Sequence, residues 1–171
     1  MQTNREPYVS RYQKTAEWFR SNPVRLRIFT LCYRLLPVCV VVLYGLLILK
    51  CCIPFQPALC FRVILVPLFS FIIVTIIRKW INAPRPYTTY SIEPLIVKQT
   101  VGNSFPSRHV FSISIIAMAW LWVDWRMGIL LWCMTLILAA LRVIAGVHYI
   151  RDVLASMLIS LCIGIIFFYL I

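Results

Sequence analysis

In the stretch Arg142-Val-Ile-Ala-Gly-Val-His148-Tyr-Ile-Arg-Asp152 a guanidinium, an imidazole and a carboxylate fall within eleven residues. His148 and Asp152 are four positions apart, which on a helix puts them on one face, one turn from each other. A carboxylate so placed accepts one imidazole N–H, fixes the tautomer and leaves the other ring nitrogen free to react. Read alone, the stretch could equally be a charge cluster at the edge of a bilayer. The chain has only one other histidine, His109, and it follows Ser104-Phe105-Pro106-Ser107-Arg108. Ser107 and His109 would lie about 200° apart on a regular helix, so they share a site only if Ser107 is at or before the cap. This spacing predicts a helix that starts at about Ser107, with its hydroxyls and free first-turn N–H groups forming a phosphate cradle.

Arg78, Arg85 and Arg142, with Arg108 as a candidate, add permanent positive charge. Gathered at the edge of a low-dielectric medium they would repel one another, so a doubly charged anion is their natural partner. Two histidines at one phosphate divide the work. His148, neutral and held by Asp152, attacks phosphorus and forms a phosphohistidine. His109 protonates the leaving oxygen, water hydrolyses the intermediate, and the arginines stabilise the transferring group. This chemistry calls for no metal and no cofactor, and one carboxylate would make a poor magnesium shell. The seven cysteines form no CxxC and pair with no histidine, so neither a zinc site nor a disulfide framework is expected.

The elements that must carry these residues are apolar. Of 171 residues 62% are hydrophobic, and the mean hydropathy of +0.89 exceeds what a soluble domain of this size can bury. The expected architecture is all-α: a polytopic transmembrane helix bundle of about five spans, integral to the cell membrane. The spans read as Ile28–Leu49, Leu59–Ile77, Val110–Val123, Met127–Leu141 and Val153–Ile171, with Pro67 as a kink. The third and fourth are short for a bilayer and must extend into the flanking motifs. Residues 1–27 read as a basic amphipathic interfacial segment, with Tyr8, Tyr12, Ala16 and Phe19 at helical spacing facing the membrane. Residues 28–171 form the transmembrane domain, and 78–108 is a long loop of functional rather than connecting character. No cleaved leader is expected, because the first residues lack an apolar h-region. Seventeen Lys and Arg against five acidic residues give a net charge of +12. In a multi-span chain that excess points to lipid headgroups or phosphorylated substrates, not to nucleic acid.

Alternating crossings bring Arg78, Ser107, Arg142 and His148 to one side of the membrane. The other side offers Lys50, Arg62, Asp124 and Arg126 and no histidine. Within the loop, Glu93 and Lys98 read as a solvated pair, with contact to a headgroup as the alternative.

These residues resemble the type 2 phosphatidic acid phosphatase superfamily, whose motifs are Lys-x6-Arg-Pro, Pro-Ser-Gly-His and Ser-Arg-x5-His-x3-Asp. Here they read Arg78-x6-Arg85-Pro86, Pro106-Ser107-Arg108-His109 and Leu141-Arg142-x5-His148-x3-Asp152. The resemblance covers residues from about 59 onward. It implies His148 as nucleophile, Asp152 as its partner, His109 as general acid, and phosphate binding at 78, 85, 107 and 142. Arg78 stands where the pattern has lysine and Leu141 where it has serine. Arg108 stands where it has glycine, and either adds a cation or points outward. The function implied is hydrolysis of a lipid phosphate monoester or polyprenyl diphosphate. The alternatives are phosphoryl transfer to a lipid-linked acceptor or a non-catalytic phospholipid-binding protein. The resemblance implies an outward-facing site with one more span before the first motif. The positive-inside bias, with six cations in the tail, favours a cytoplasmic one.

Overall fold

The computed structural model describes residues 5–53, 56–90 and 92–171. The first four residues of the tail, Pro54 and Phe55 in the turn after the first span, and Ser91 in the long loop lie outside the described residues. Seven α-helices follow in order: α1 Arg5–Arg20, α2 Pro23–Cys52, α3 Pro57–Ile81, α4 Pro86–Thr89, α5 Arg108–Val123, α6 Trp125–Ile144 and α7 Ile150–Gly164, which continues as π-helix over Ile165–Leu170. All regular structure among the described residues is helical. Four helical units are long and apolar enough to cross a membrane: Pro23–Cys52, Pro57–Thr89, Trp125–Ile144 and Ile150–Leu170.

Local chemistry sets the boundaries. The Asn22 side chain accepts from the amides of Val24 and Arg25, with Pro23 as the first helical residue, so α2 begins five residues before the expected Ile28. Pro67 lies inside α3 without ending it. Asp124 closes α5 and caps α6, accepting from the Arg126 amide at 3.1 Å. Gly128 makes that hairpin tight, since a Cβ there would meet the backbone of Leu121.

The bundle is organised around α5. Apolar nearly all the way round, it is buried on most of its faces, including Val110, Phe111, Ile115 and Trp120. Helix α7 meets it with a stripe at four-residue spacing: Asp152, Ser156, Ser160 and Gly164, all buried. Ser156 Oγ donates to the Asp152 carbonyl at 2.7 Å and lies 3.0 Å from that of Ser107, and Ser160 Oγ donates to the Ser156 carbonyl at 2.6 Å and lies 3.4 Å from that of Phe111. Small residues let the backbones approach, and the hydroxyls find acceptors that lipid could not provide. The outer faces of α2, α3, α6 and α7 expose valine, leucine, isoleucine and phenylalanine, an apolar belt suited to acyl chains. The protein is an integral, multi-pass membrane protein.

At one end of the bundle lie the end of α3, the start of α5, the end of α6 and the start of α7. At the other, Lys50 pairs with Asp124 at 3.4 Å and Arg62 donates to the Ile171 carbonyl at 2.7 Å. Helix α1 docks at the first end. Its Tyr12 and Ala16 are buried against Ile92 and Leu95 of the long loop. The stripe expected to face the membrane therefore packs on protein, because the loop offers apolar side chains at that face.

Candidate functional site

The third motif does not fold as one helix. Gly146 adopts φ +75° and Tyr149 caps α7, so His148 sits in the turn and Asp152 at the third helical position. The two residues still meet, but because Asp152 reaches back over the helix start rather than through a shared helical face. Its Oδ2 accepts from the Tyr149 amide at 3.0 Å and lies 3.5 Å from His148 Nδ1. Both side chains are buried. With Nδ1 towards Asp152, Nε2 is left free of that partner, and His148 lines a cavity of about 330 Å³. Burial pushes the His148 imidazole down to about 4, against the opposing pull of Asp152 and with the help of Arg85. The ring is therefore neutral at ordinary pH.

The second motif starts α5 as its spacing predicts. Ser107 is the N-cap, and Phe111 N–H bonded to the Ser107 carbonyl opens the ladder, so the amides of Arg108, His109 and Val110 precede it. The Ser107 amide donates to the main-chain carbonyl of Asp152 at 3.1 Å, which ties the starts of α5 and α7 together. Ser107 Oγ is buried without a partner among the described residues. Ser104, expected among the hydroxyls at the helix start, instead donates from Oγ to Asp152 Oδ2 at 2.5 Å. A carboxylate is the stronger acceptor, and the bond between the Ser104 amide and the Ala83 carbonyl holds Ser104 within its reach.

His109, Arg78, Arg85 and Arg108 line the same cavity as His148. Arg78, in the last turn of α3, donates to the Pro106 carbonyl at 3.4 Å. Arg85 is 4% exposed; its Nε donates to the Gly102 carbonyl at 2.9 Å, and its buried Nη1 has no partner among the described residues. Arg142 is buried behind them at the end of α6. It donates to the Tyr33 hydroxyl and lies over that ring at 4.1 Å, while its Nε has no partner among the described residues. Among the described residues no three His, Cys, Asp or Glu side chains gather as metal ligands.

Three contributors carry no signal in the motifs. Tyr33 on α2 orients Arg142. Tyr12 on α1 accepts from the Leu95 amide at 3.1 Å and donates to the Ala145 carbonyl at 3.3 Å, so it joins the long loop to the His148 turn. Lys98 lines the cavity instead of pairing with Glu93, which binds Arg20 at 2.9 Å. Burial first, then the Arg142 and Arg85 charges, push the Lys98 ammonium down to about 8. Its place follows from the anchoring of the loop, where Tyr87 Oη donates to the Thr100 carbonyl at 2.6 Å and Asn103 N–H to Asn82 Oδ1 at 3.2 Å.

The helical membrane bundle thus brings two histidines and several guanidinium groups to one cavity. The chain belongs to the PAP2 superfamily, whose profile matches residues 59–171. It is 33% identical over 85 residues to the undecaprenyl-diphosphatase BcrC of Bacillus subtilis. That match covers 50% of this chain and 44% of BcrC, so the chain spans a little under half the length of the curated relative it matches. The fold is shared with LpxE of Aquifex aeolicus, at a TM-score of 0.66 and 23% identity over 90% of this chain and 92% of that one. It is shared also with a PAP2-type phosphatidylglycerolphosphate phosphatase of Bacillus subtilis, at 0.65 and 19% identity over 98% and 85%. The chain is thus a PAP2 superfamily member built on a helical membrane fold.

Proposed function

We propose that the protein hydrolyses a lipid phosphate by a double displacement at His148, without a metal. The observation that carries this reading is the pairing of His148 Nδ1 with Asp152, which leaves Nε2 free at a cavity lined by Arg78 and Arg85, where a buried Arg85 N–H has no partner among the described residues. Nε2 attacks phosphorus, the bond to the leaving oxygen breaks with its electron pair on that oxygen, and His109 supplies the proton. Water then attacks the phosphohistidine, returns a proton to His109 and frees phosphate. Asp152 holds the ring and offsets the positive charge that develops on it. At an effective dielectric constant of about 20, unit charges about 4 Å apart interact by about 4 kcal/mol. A phosphoryl group among Arg78, Arg85 and Arg142 is thus held strongly, and its charge keeps the proton on His109. Ser107 and the amides at the start of α5 add donors.

The lipid enters from the side. An apolar groove between α2, α3 and α5, lined by Tyr44, Ile64, Phe71, Ser112 and Ile115, lies beside the cavity and has room for a hydrocarbon chain. Helix α5 completes five crossings, with the N-terminal helix on the side of the site. The test is phosphate release by detergent-purified protein from phosphatidic acid, phosphatidylglycerol phosphate and prenyl phosphates, with and without chelator. Release that persists in chelator and is lost in His148→Ala is expected. No release from any of them, or an active His148→Ala variant, contradicts the reading.

A further inference from the structure

The cavity holds more positive charge than one phosphoryl group needs. Arg78, Arg85 and Arg142 belong to the motifs. Lys98 lies between motifs, and position 108 is glycine in the family pattern. Yet Lys98 and Arg108 both line the cavity, as does Lys79, and among the described residues no carboxylate does. The acidic residues are engaged or remote: Glu93 with Arg20, Asp152 behind His148, Asp124 with Lys50 at the far end, and Glu6 and Glu17 on the exposed face of α1. Lys98 makes no hydrogen bond or ion pair among the described residues. Its half-buried ammonium therefore shares the cavity with Arg78, Lys79, Arg85 and Arg108 beside neutral polar groups, and an added anion relieves that crowding of charge.

The position of Arg108 says where that anion sits. It precedes His109, and its guanidinium lies 5.7 Å from the centre of the Phe71 ring. Phe71 lines the apolar groove, and Thr75, one turn further along α3, lines the cavity. Arg108 thus stands where a lipid tail meets the polar site, on the leaving-group side of the reacting phosphorus.

We propose that Lys98 and Arg108 bind a second phosphate, between the transferred phosphoryl group and the tail, so that the preferred substrate is a lipid diphosphate. This rests on the double displacement at His148. Attack on the terminal phosphorus breaks its bond to the bridging oxygen. That oxygen keeps the electron pair, takes the His109 proton and departs on the lipid monophosphate. Water then releases inorganic phosphate from His148.

The experiment compares farnesyl diphosphate with farnesyl monophosphate, which share one tail, using detergent-purified wild type and the variants Lys98→Met, Lys98→Arg and Arg108→Gly. The quantity read is the ratio of kcat/KM for the two substrates. Wild type is expected to favour the diphosphate by about tenfold or more, and Lys98→Met and Arg108→Gly each to reduce that ratio by about tenfold. Lys98→Arg, which keeps the charge, should retain most of the preference. Equal wild-type use of both substrates, or equal losses on both in the variants, overturns the assignment while leaving the chemistry at His148 intact. A His148→Asn variant that still hydrolyses either substrate as wild type does would remove the underlying mechanism and the inference with it.

Discussion

Ser104 donates its hydroxyl hydrogen to Oδ2 of Asp152 at 2.5 Å, and that oxygen is the one 3.5 Å from His148 Nδ1. The carboxylate is therefore shared: Ser104 and the Tyr149 amide draw on the negative charge that steadies the imidazole. Ser104→Ala should leave more of that charge to His148 and raise its pKa. We expect the acid limb of the rate profile to move to higher pH and kcat to fall about tenfold as the carboxylate loses its fixed position. A pH–rate series on the variant checks both. A unit loss of rate with an unmoved limb would mean that Ser104 only fills space.

Wild type should show a plateau bounded on the acid side by His148 and on the alkaline side by the groups that must keep a proton, His109 and Lys98. His148 attacks as the neutral ring, and burial holds its pKa at about 4, so activity falls only as the pH drops through that value. Lys98 works as a cation, and its pKa of about 8 means that positive charge is lost as the pH rises through that value. Bound phosphate favours the charged lysine, so the alkaline limb should appear in KM more than in kcat. Lys98→Arg should carry the plateau to higher pH. A wild-type profile that falls steeply near pH 6 would contradict the assignment of His148.

Helix α1 is tied to the long loop and to the turn before His148 by one hydroxyl. Tyr12 joins the Leu95 amide to the Ala145 carbonyl, and beside it Gly146 has φ +75°, with space for a Cβ taken by the Tyr12 ring. Tyr12→Phe should cost about 1 kcal/mol in stability. Gly146→Ala should cost about 1–3 kcal/mol through strain and overlap. Both should raise KM, because the Lys98 loop and the His148 turn lose their common anchor. Thermal unfolding with steady-state kinetics tests this, and a Tyr12→Phe variant with unchanged melting and KM would show that α1 is only a tail.

The gathering of the motif residues at one cavity could be read from residue order, because each motif falls at the end of an apolar run and alternate crossings bring the ends together. The start of α5 at Ser107 followed from the angular separation of Ser107 and His109. The stripe Asp152, Ser156, Ser160, Gly164 and the Asn22-Pro23 cap went unread, although both are patterns of local spacing. What could not be read depends on contacts between distant segments. Helical periodicity placed Tyr12 and Ala16 on one face but said nothing of what lies opposite, which proved to be Ile92 and Leu95 rather than lipid. Lys98 sits in a loop with no periodic pattern, where only bonds such as that of Arg85 to Gly102 fix which side chains turn inward. The shared face expected of His148 and Asp152 gave way to a turn because Gly146 stops α6 and α7 starts only after Tyr149, whose amide donates to Asp152.

The central claim is a covalent bond between phosphorus and His148. Purified protein mixed with a lipid phosphate carrying radioactive phosphorus, quenched in alkali within the first turnovers and digested, should yield a peptide labelled at His148. The label should survive alkali, be lost in acid, form in the presence of chelator, and be missing from His148→Gln. Steady turnover with no label at His148, or labelling that requires a divalent cation, would contradict it.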